Sequence, residues 1–416
     1  MEKKRSFVSL SSLCVILIIA SMLLLVGWIK PAITSAAAEK VPDKIRFGCA
    51  IALSGMNAIP ADVSQVTQYK LWMEQTNAKG GIFVKKYNKR LPVEIIFYDD
   101  HSEIETAIKM IEKLILEEKV DFMLPPWGTA FDFAAAPVAT KYQQIMIGSM
   151  CSSIKKLEQT PYFFIILNQP LQIGKSMVEL LQDLGVKSVA LIHIADLFGL
   201  EHTQAQKPML EKANIKIALL KSFPLGSTDL SPLIHNIQSE NVDAVINNGY
   251  PDSAILLTKQ MMALGYNPKY FQNGIGTHYS DYRDMFGANV VEGVSGQGCT
   301  NPKMPYPGLK EFFESYKKRW GKDCARGGEA SSYAACQIMQ MAIEKVGSFD
   351  RPKIRDVIAK DTFNTIIGPV RFVENANINF PGDIGQWQKG EFECVSPKNK
   401  RTAQPIYPKP NWPSAK

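Results

Sequence analysis

Between Ile45 and Ser153 the chain alternates short apolar runs with helix-like stretches, and this alternation limits the possible folds more than any other feature. Ile45–Leu53, Val93–Tyr98, Val120–Leu124 and Gln144–Gly148 read as strands. Asp62–Asn77, Glu103–Glu118 and Ala130–Tyr142 read as helices; in the second, Ile104, Ile108, Ile111, Leu114 and Ile115 recur at helical spacing. Strands joined through helices must run parallel in a sheet covered on both faces. The loops after the strands then gather at one end of the sheet, where open α/β sheets hold ligands. Thr129, Cys151, Ser152 and Ser153, with the free N–H groups of the helix opening near Ala130, would face one cleft. A helix N-terminus favours an anionic guest such as a carboxylate. The alternative is that these loop tips merely need small polar residues.

After a pause at Tyr162–Gln169 the rhythm resumes. Helices are expected over Leu171–Leu184, Gly199–Ala213, Ser227–Gln238 and Asp252–Leu264, and strands over Ser188–Ile194, Ile215–Leu220, Val242–Asn247 and Tyr270–Gln272. A second α/β unit of similar size implies a second lobe, as a chain of 416 residues allows. Further on, Val290–Val294, Ile366–Phe372 and Ile384–Gln388 read as strands, and Pro307–Trp320 and Ala330–Val346 as helices.

The N-terminus reads as an export signal: Lys3-Lys4-Arg5, an apolar run Leu13–Val26, then Ala36-Ala37-Ala38. Cleavage is expected after Ala38, so that residues 1–38 are the signal peptide; a retained anchor is the alternative. Cys14 is not expected to carry lipid, because Leu13 precedes it. Without residues 1–38 the net charge falls from +7 to +4. This mild excess forms no basic stripe with interleaved aromatics, so no nucleic-acid partner is expected. Six cysteines remain, and Cys299–Cys324 is the most plausible disulfide by proximity in sequence. Their scatter gives no zinc signature, and neither metal nor other cofactor is expected.

Several stretches coincide, in order and spacing, with one family. They are Ala52-Leu53-Ser54-Gly55, Asn77-Ala78-Lys79-Gly80-Gly81-Ile82, Tyr98-Asp99-Asp100, Ile367-Gly368-Pro369-Val370-Arg371-Phe372 and Gln386-Trp387-Gln388-Lys389-Gly390. From Lys44 to Val395 the sequence resembles the periplasmic solute-binding proteins of ABC transporters, in the leucine/isoleucine/valine-binding family. The resemblance implies two doubly wound parallel-sheet α/β lobes joined by three hinge strands and closing on a solute. The crossovers would fall near Leu167–Gln169, Gly296–Cys299 and Ile366–Val370. One lobe would be 41–168 plus 299–367, the other 169–298 plus 368–396, with 397–416 a surface tail. Asp99-Asp100-His101, which by residue type could be a metal or general-base site, would mark a strand end and helix start.

The resemblance also implies site residues. Thr129 would bind the ligand's polar head, with the backbone at Ala130, and Cys151 and Ser152 would share that work. Phe198 and Tyr250 would be aromatic lids from the second lobe, which suit a reversible clamp because they cost little rotamer entropy. Trp127 and the Ala58–Pro60 loop would wall a side-chain pocket, and Ile275 lies on the loop after Tyr270–Gln272. One departure matters. Amino-acid binders of this family carry an acid in that loop to pair the ligand's ammonium, and a desolvated ammonium without a partner is costly. Here the loop reads Asn273-Gly274-Ile275-Gly276; Asp252 or Asp281 could substitute only if the backbone brings it into the cleft. The expected ligand therefore has a carboxylate or other polar head and no ammonium, such as an aromatic or short-chain organic acid, with a zwitterionic amino acid the conventional alternative.

The function implied is capture of a small solute outside the cytoplasm, by a monomer, for delivery to a membrane permease, without catalysis. A sensor ectodomain of the same fold is the first rival, and an α/β enzyme the second. The sequence carries no G-x-S-x-G, H-E-x-x-H or Walker loop. The five histidines, His101, His193, His202, His235 and His278, are scattered and read as surface or packing residues.

Overall fold

Ile45–Ile51 is buried at every position except Arg46, as a strand covered by helices on both faces must be. It pairs in parallel with Val93–Asp99 on one side and Phe122–Leu124 on the other. The computed structural model describes residues 41–153, 159–380 and 384–413. The expected signal peptide lies outside the described residues. Among the described residues no helix is long and apolar enough to cross a membrane.

Beside Phe122–Leu124 lies Met146–Gly148, which pairs in parallel with Phe163–Ile165. The apparent pause in the sequence thus holds a strand of three residues, too short to show a period. The second lobe is one seven-stranded sheet. Its order is Lys216–Phe223, Ser188–Ile194, Ala244–Asn248, Tyr270–Asn273, Val294–Gln297, Ile384–Gln388 and Glu391–Ser396. The first five strands are parallel, Ile384–Gln388 is antiparallel to Val294–Gln297, and Glu391–Ser396 is antiparallel to Ile384–Gln388. The expected two-lobed, doubly wound α/β architecture is present.

Three expectations are corrected. The strand expected at Val290–Val294 is a helical turn, Ala288–Val291, and pairing begins at Val294 after Gly293 at φ 78°. The lobe boundary at residue 368 moves: Gly368–Val373 pairs with Thr362–Thr365 and with Ala376–Asn377, which in turn pairs with Phe163–Ile165 of the first lobe. The chain changes sheet only between Asn377 and Ile384, because the apolar run at Ile366–Phe372 marks burial without saying in which lobe. Finally, Cys299 and Cys324 are not joined, and all six cysteines described are buried free thiols. Nearness in sequence does not carry into space here. Cys324 sulfur sits 3.6 Å from Gln68 Nε2, whereas the Cys299 thiol is neighboured by that of Cys394.

Asp99-Asp100-His101 ties loops together. Asp99 Oδ1 accepts from the N–H groups of Leu53, Ser54 and His101, and Asp100 Oδ1 accepts from that of Ser102. The tail lies along the second lobe, with Lys409 N–H donating to Lys269 O and Trp412 Nε1 to Tyr266 O.

Candidate ligand-binding site

The helix Thr129–Lys141 starts directly after Gly128, whose φ of 100° turns the chain sharply out of the Phe122–Leu124 strand. Thr129 therefore sits at the carboxyl end of the first sheet, opposite the loop after Met146–Gly148. Ser152 N–H donates to Thr129 Oγ1 at 3.2 Å, and Thr129 Oγ1 donates to Ser152 O at 3.3 Å. The Ser152 hydroxyl donates to Asn168 O at 2.9 Å.

The second lobe meets this pair directly. His202, on the helix Leu197–Lys212, lies with Nε2 3.2 Å from Ser152 Oγ. Burial pushes the His202 pKa down to about 3, so the ring is neutral. Because the Ser152 proton is committed to Asn168 O, His202 Nε2 must carry the donor, a tautomer assigned from the network. Its Nδ1 is then an acceptor, and it has no partner among the described residues.

Phe198 stacks on Tyr250, with centroids 5.2 Å apart and planes at 24°. The Tyr250 hydroxyl donates to Asp196 Oδ2 at 2.7 Å, while Asp196 Oδ1 caps the helix by accepting from Gly199 N–H. Across the cleft Trp127 lies 5.7 Å from Tyr250, held by its own hydrogen bond from Nε1 to Ser64 Oγ at 2.9 Å. Each aromatic is thus anchored within its own lobe, and the two rings meet at the opening between them.

Behind the rings is an inner void of about 50 Å³. Trp127, Thr129, Ser152, Phe198, Tyr250 and Ile275 all line it. The other two expected positions do not. Ala130 lines an open groove outside the rings. Cys151 is corrected: it is fully buried in the first-lobe core with Ala50, Met146 and Phe163, and burial raises its thiol pKa well above the usual value. It neighbours Ser152 in the chain, and that adjacency had placed both in the cleft. Ile59 and Pro60 line a larger outer groove of about 400 Å³ that shares Trp127, Tyr250 and Tyr279 with the inner void.

Sequence reasoning missed His202, Tyr279, Gln297, His278 and Glu329, which complete the inner wall. His278 Nε2 lies 2.9 Å from Glu329 Oε1, both side chains almost wholly buried, and Glu329 Oε2 accepts from Gly327 N–H at 2.7 Å. A Cβ on Gly327 would fall 2.3 Å from His278 Nε2, so glycine is what lets this pair form. An acid therefore reaches the void, but from the Gly327–Glu329 segment. Asp252 and Asp281 line the outer groove. His202 and His278, read as surface or packing residues, are buried and also line the void. Pairs 50 and 51 residues apart, such as Ser152–His202 and His278–Glu329, leave no local signal.

Under the site lies an unusual group. Asp132, in the first turns of the Thr129 helix, is fully buried, and neither carboxyl oxygen has a hydrogen-bond partner among the described residues. Burial raises its pKa well above the ordinary carboxylate value, so the folded chain holds it protonated. A raised folded-state pKa gives stability that is complete below the unfolded value near 4 and is lost as pH rises towards the folded value. Asp132→Asn is expected to stabilise the protein by about 2 kcal/mol at pH 7. Removing the proton-uptake cost, up to about 4 kcal/mol, is partly offset by burying an unpaired amide. Urea denaturation at pH 4 and pH 7 checks this, because at the lower pH the gain should disappear and leave only the cost of the unpaired amide. An equal gain at both would refute the protonation argument.

Comparison with known proteins agrees with this architecture. The periplasmic binding protein family model matches residues 44–391. The Leu/Ile/Val-binding protein homolog 7 of Brucella suis is 25% identical over 384 residues, covering 87% of this chain and 94% of its own. Among solved structures, the branched-chain amino acid substrate-binding protein LivJ of Streptococcus pneumoniae, in complex with isoleucine, superposes with a TM-score of 0.74. It is 19% identical and covers 84% of this chain and 97% of its own. A solute-binding protein of an ABC transporter from R. palustris, in complex with benzoate, gives a TM-score of 0.73 at 15% identity, covering 88% and 98%. At such identities the structures establish the fold alone. With the family model matched over most of its length, the chain belongs to the periplasmic binding protein family, whose fold is that of solute-binding proteins of the branched-chain amino acid ABC transporter type.

Proposed function

We propose that this protein is the extracytoplasmic, monomeric binding component of an ABC uptake system, and that it carries a small carboxylate-bearing solute to a membrane permease. The observation that carries this reading is the void between the lobes, with Thr129 and Ser152 on one wall and Phe198 and Tyr250 on the other. The N-terminus of the Thr129 helix supplies donors for a carboxylate. The stacked rings supply apolar contact for the body of the solute. An organic acid without an ammonium fits best, because Glu329, the one carboxylate lining the void among the described residues, already accepts from His278 and Gly327.

A second reading has one observation in its favour. Glu329 stands at the void and carboxylates accept more than two hydrogen bonds, so it would be the partner of an amino acid's ammonium. Isothermal titration of the purified mature protein with short and aromatic monocarboxylates, and with leucine, isoleucine and valine, separates the two. Acids are expected to bind at least tenfold more tightly than the amino acids. The reverse order would transfer the assignment to the zwitterion. Sequencing the mature N-terminus tests export, with Glu39 expected first.

A further inference from the structure

We infer that the solute is amphipathic, with an acidic head in the inner void and an extended uncharged apolar tail in the outer groove. The inference rests on the proposed capture of a carboxylate and names the class of solute more narrowly. Volume gives the first reason. The inner void of about 50 Å³ is roughly a third of the ~150 Å³ that accommodates a benzene ring, so it takes a head group and little else. The outer groove offers about 400 Å³ and is continuous with the same walls at Trp127, Tyr250 and Tyr279.

The second reason is the character of that groove. Met56 and Ile59 from the first lobe face Leu225 and Met285 from the second, and these four are 46–70% exposed although they are large and apolar. Single exposed apolar side chains are ordinary, but a group of them around one concavity marks a surface that something apolar covers. Among the described residues no lysine or arginine lines the groove, and the carboxylates there are Asp252 and Asp281. These would repel a second anionic group. An aliphatic or aryl tail meets these constraints, because it needs only apolar area. The tail would leave the head beside Thr129 and reach the groove by parting the Trp127–Tyr250 contact, where the rings touch at 5.7 Å, centre to centre.

The test is a chain-length series on the mature protein: straight-chain monocarboxylates from acetate to decanoate, and ω-phenyl acids, all below their micelle concentrations, by isothermal titration. Affinity is expected to rise about fourfold per methylene through the middle of the series, as burial of each CH₂ predicts. In Met285→Glu, at an exposed position, the ratio of octanoate to acetate affinity is expected to fall at least tenfold. Acids that bind with no dependence on length would overturn the tail while leaving carboxylate capture intact, and would assign the groove to a protein partner. An unchanged ratio in Met285→Glu would overturn it too. Failure of every acid in the series would instead remove the reading beneath it.

Discussion

Replacing Tyr250 by alanine is expected to weaken binding of the preferred acid at least about 30-fold in isothermal titration. Three contacts converge on this ring: the stack on Phe198, the meeting with Trp127 of the other lobe, and the hydroxyl bond to Asp196. It also lines both the inner void and the outer groove, so its loss widens the passage between them and admits water to the head group. Buried aromatics at the centre of a contact commonly cost 2 kcal/mol or more when truncated, and each 1.4 kcal/mol is tenfold. Tyr250→Phe keeps the rings and removes only the bond to Asp196, so a loss of about three- to tenfold is expected. Asp196 would still cap its helix through Gly199 N–H, so the scaffold is preserved. Thermal unfolding of both variants without ligand checks that the alanine form is folded. If Tyr250→Ala binds within threefold of wild type, the rings do not enclose the ligand and the inner void is not its site.

The contrast between those residues and the ones sequence reasoning missed is physical. Trp127, Thr129 and Ser152 follow strand ends of a parallel sheet, and the crossover rule alone sends such loops to one edge. Phe198 and Tyr250 follow strands Ser188–Ile194 and Ala244–Asn248 in the same way. The rule fixes where the backbone goes, and in loops it does not fix which side chain points inward. Cys151 and Ser152 are consecutive, yet one enters the core and the other the cleft. His278 and Glu329 belong to segments brought together only by the closed tertiary fold, so neither periodicity nor spacing announces them. The third crossover was misplaced for a related reason. Gly368–Val373 alternates buried and exposed residues as a strand of either lobe would, and only its pairing through Ala376–Asn377 to Phe163–Ile165 decides.

The glycine pair at the end of the helix Thr67–Ala78 gives the strongest prediction on stability. Gly81→Ala is expected to cost at least about 3 kcal/mol more than Gly80→Ala in urea denaturation. Both glycines have left-handed backbones, φ 87° and 93°, so both substitutions carry the strain of about 1–3 kcal/mol that such a conformation imposes on an L residue. They differ in what a Cβ would meet. At Gly80 the nearest atom is Arg90 Cδ at 3.5 Å, the flexible part of a side chain, whereas at Gly81 it is the Leu91 carbonyl oxygen at 2.0 Å. That oxygen cannot retreat cheaply. Ile82–Val84 pairs with Lys89–Leu91, and Asn77 holds the next residues by exchanging two bonds with the Val93 backbone, at 2.7 and 2.8 Å. Val93 begins the strand against Ile45–Ile51, which ends at Asp99, the residue that fixes the Leu53–Ser54 loop just ahead of the outer groove. The segment after Gly81 is thus linked, through the Asn77 side chain, the Val93–Asp99 strand and the Asp99 carboxylate, to the loop that precedes Met56 and Ile59. Gly81→Ala is accordingly expected to lower affinity for the longer acids as well as stability, and Gly80→Ala to lower stability alone. Equal costs for the two would mean that backbone strain rather than the Leu91 contact requires the second glycine.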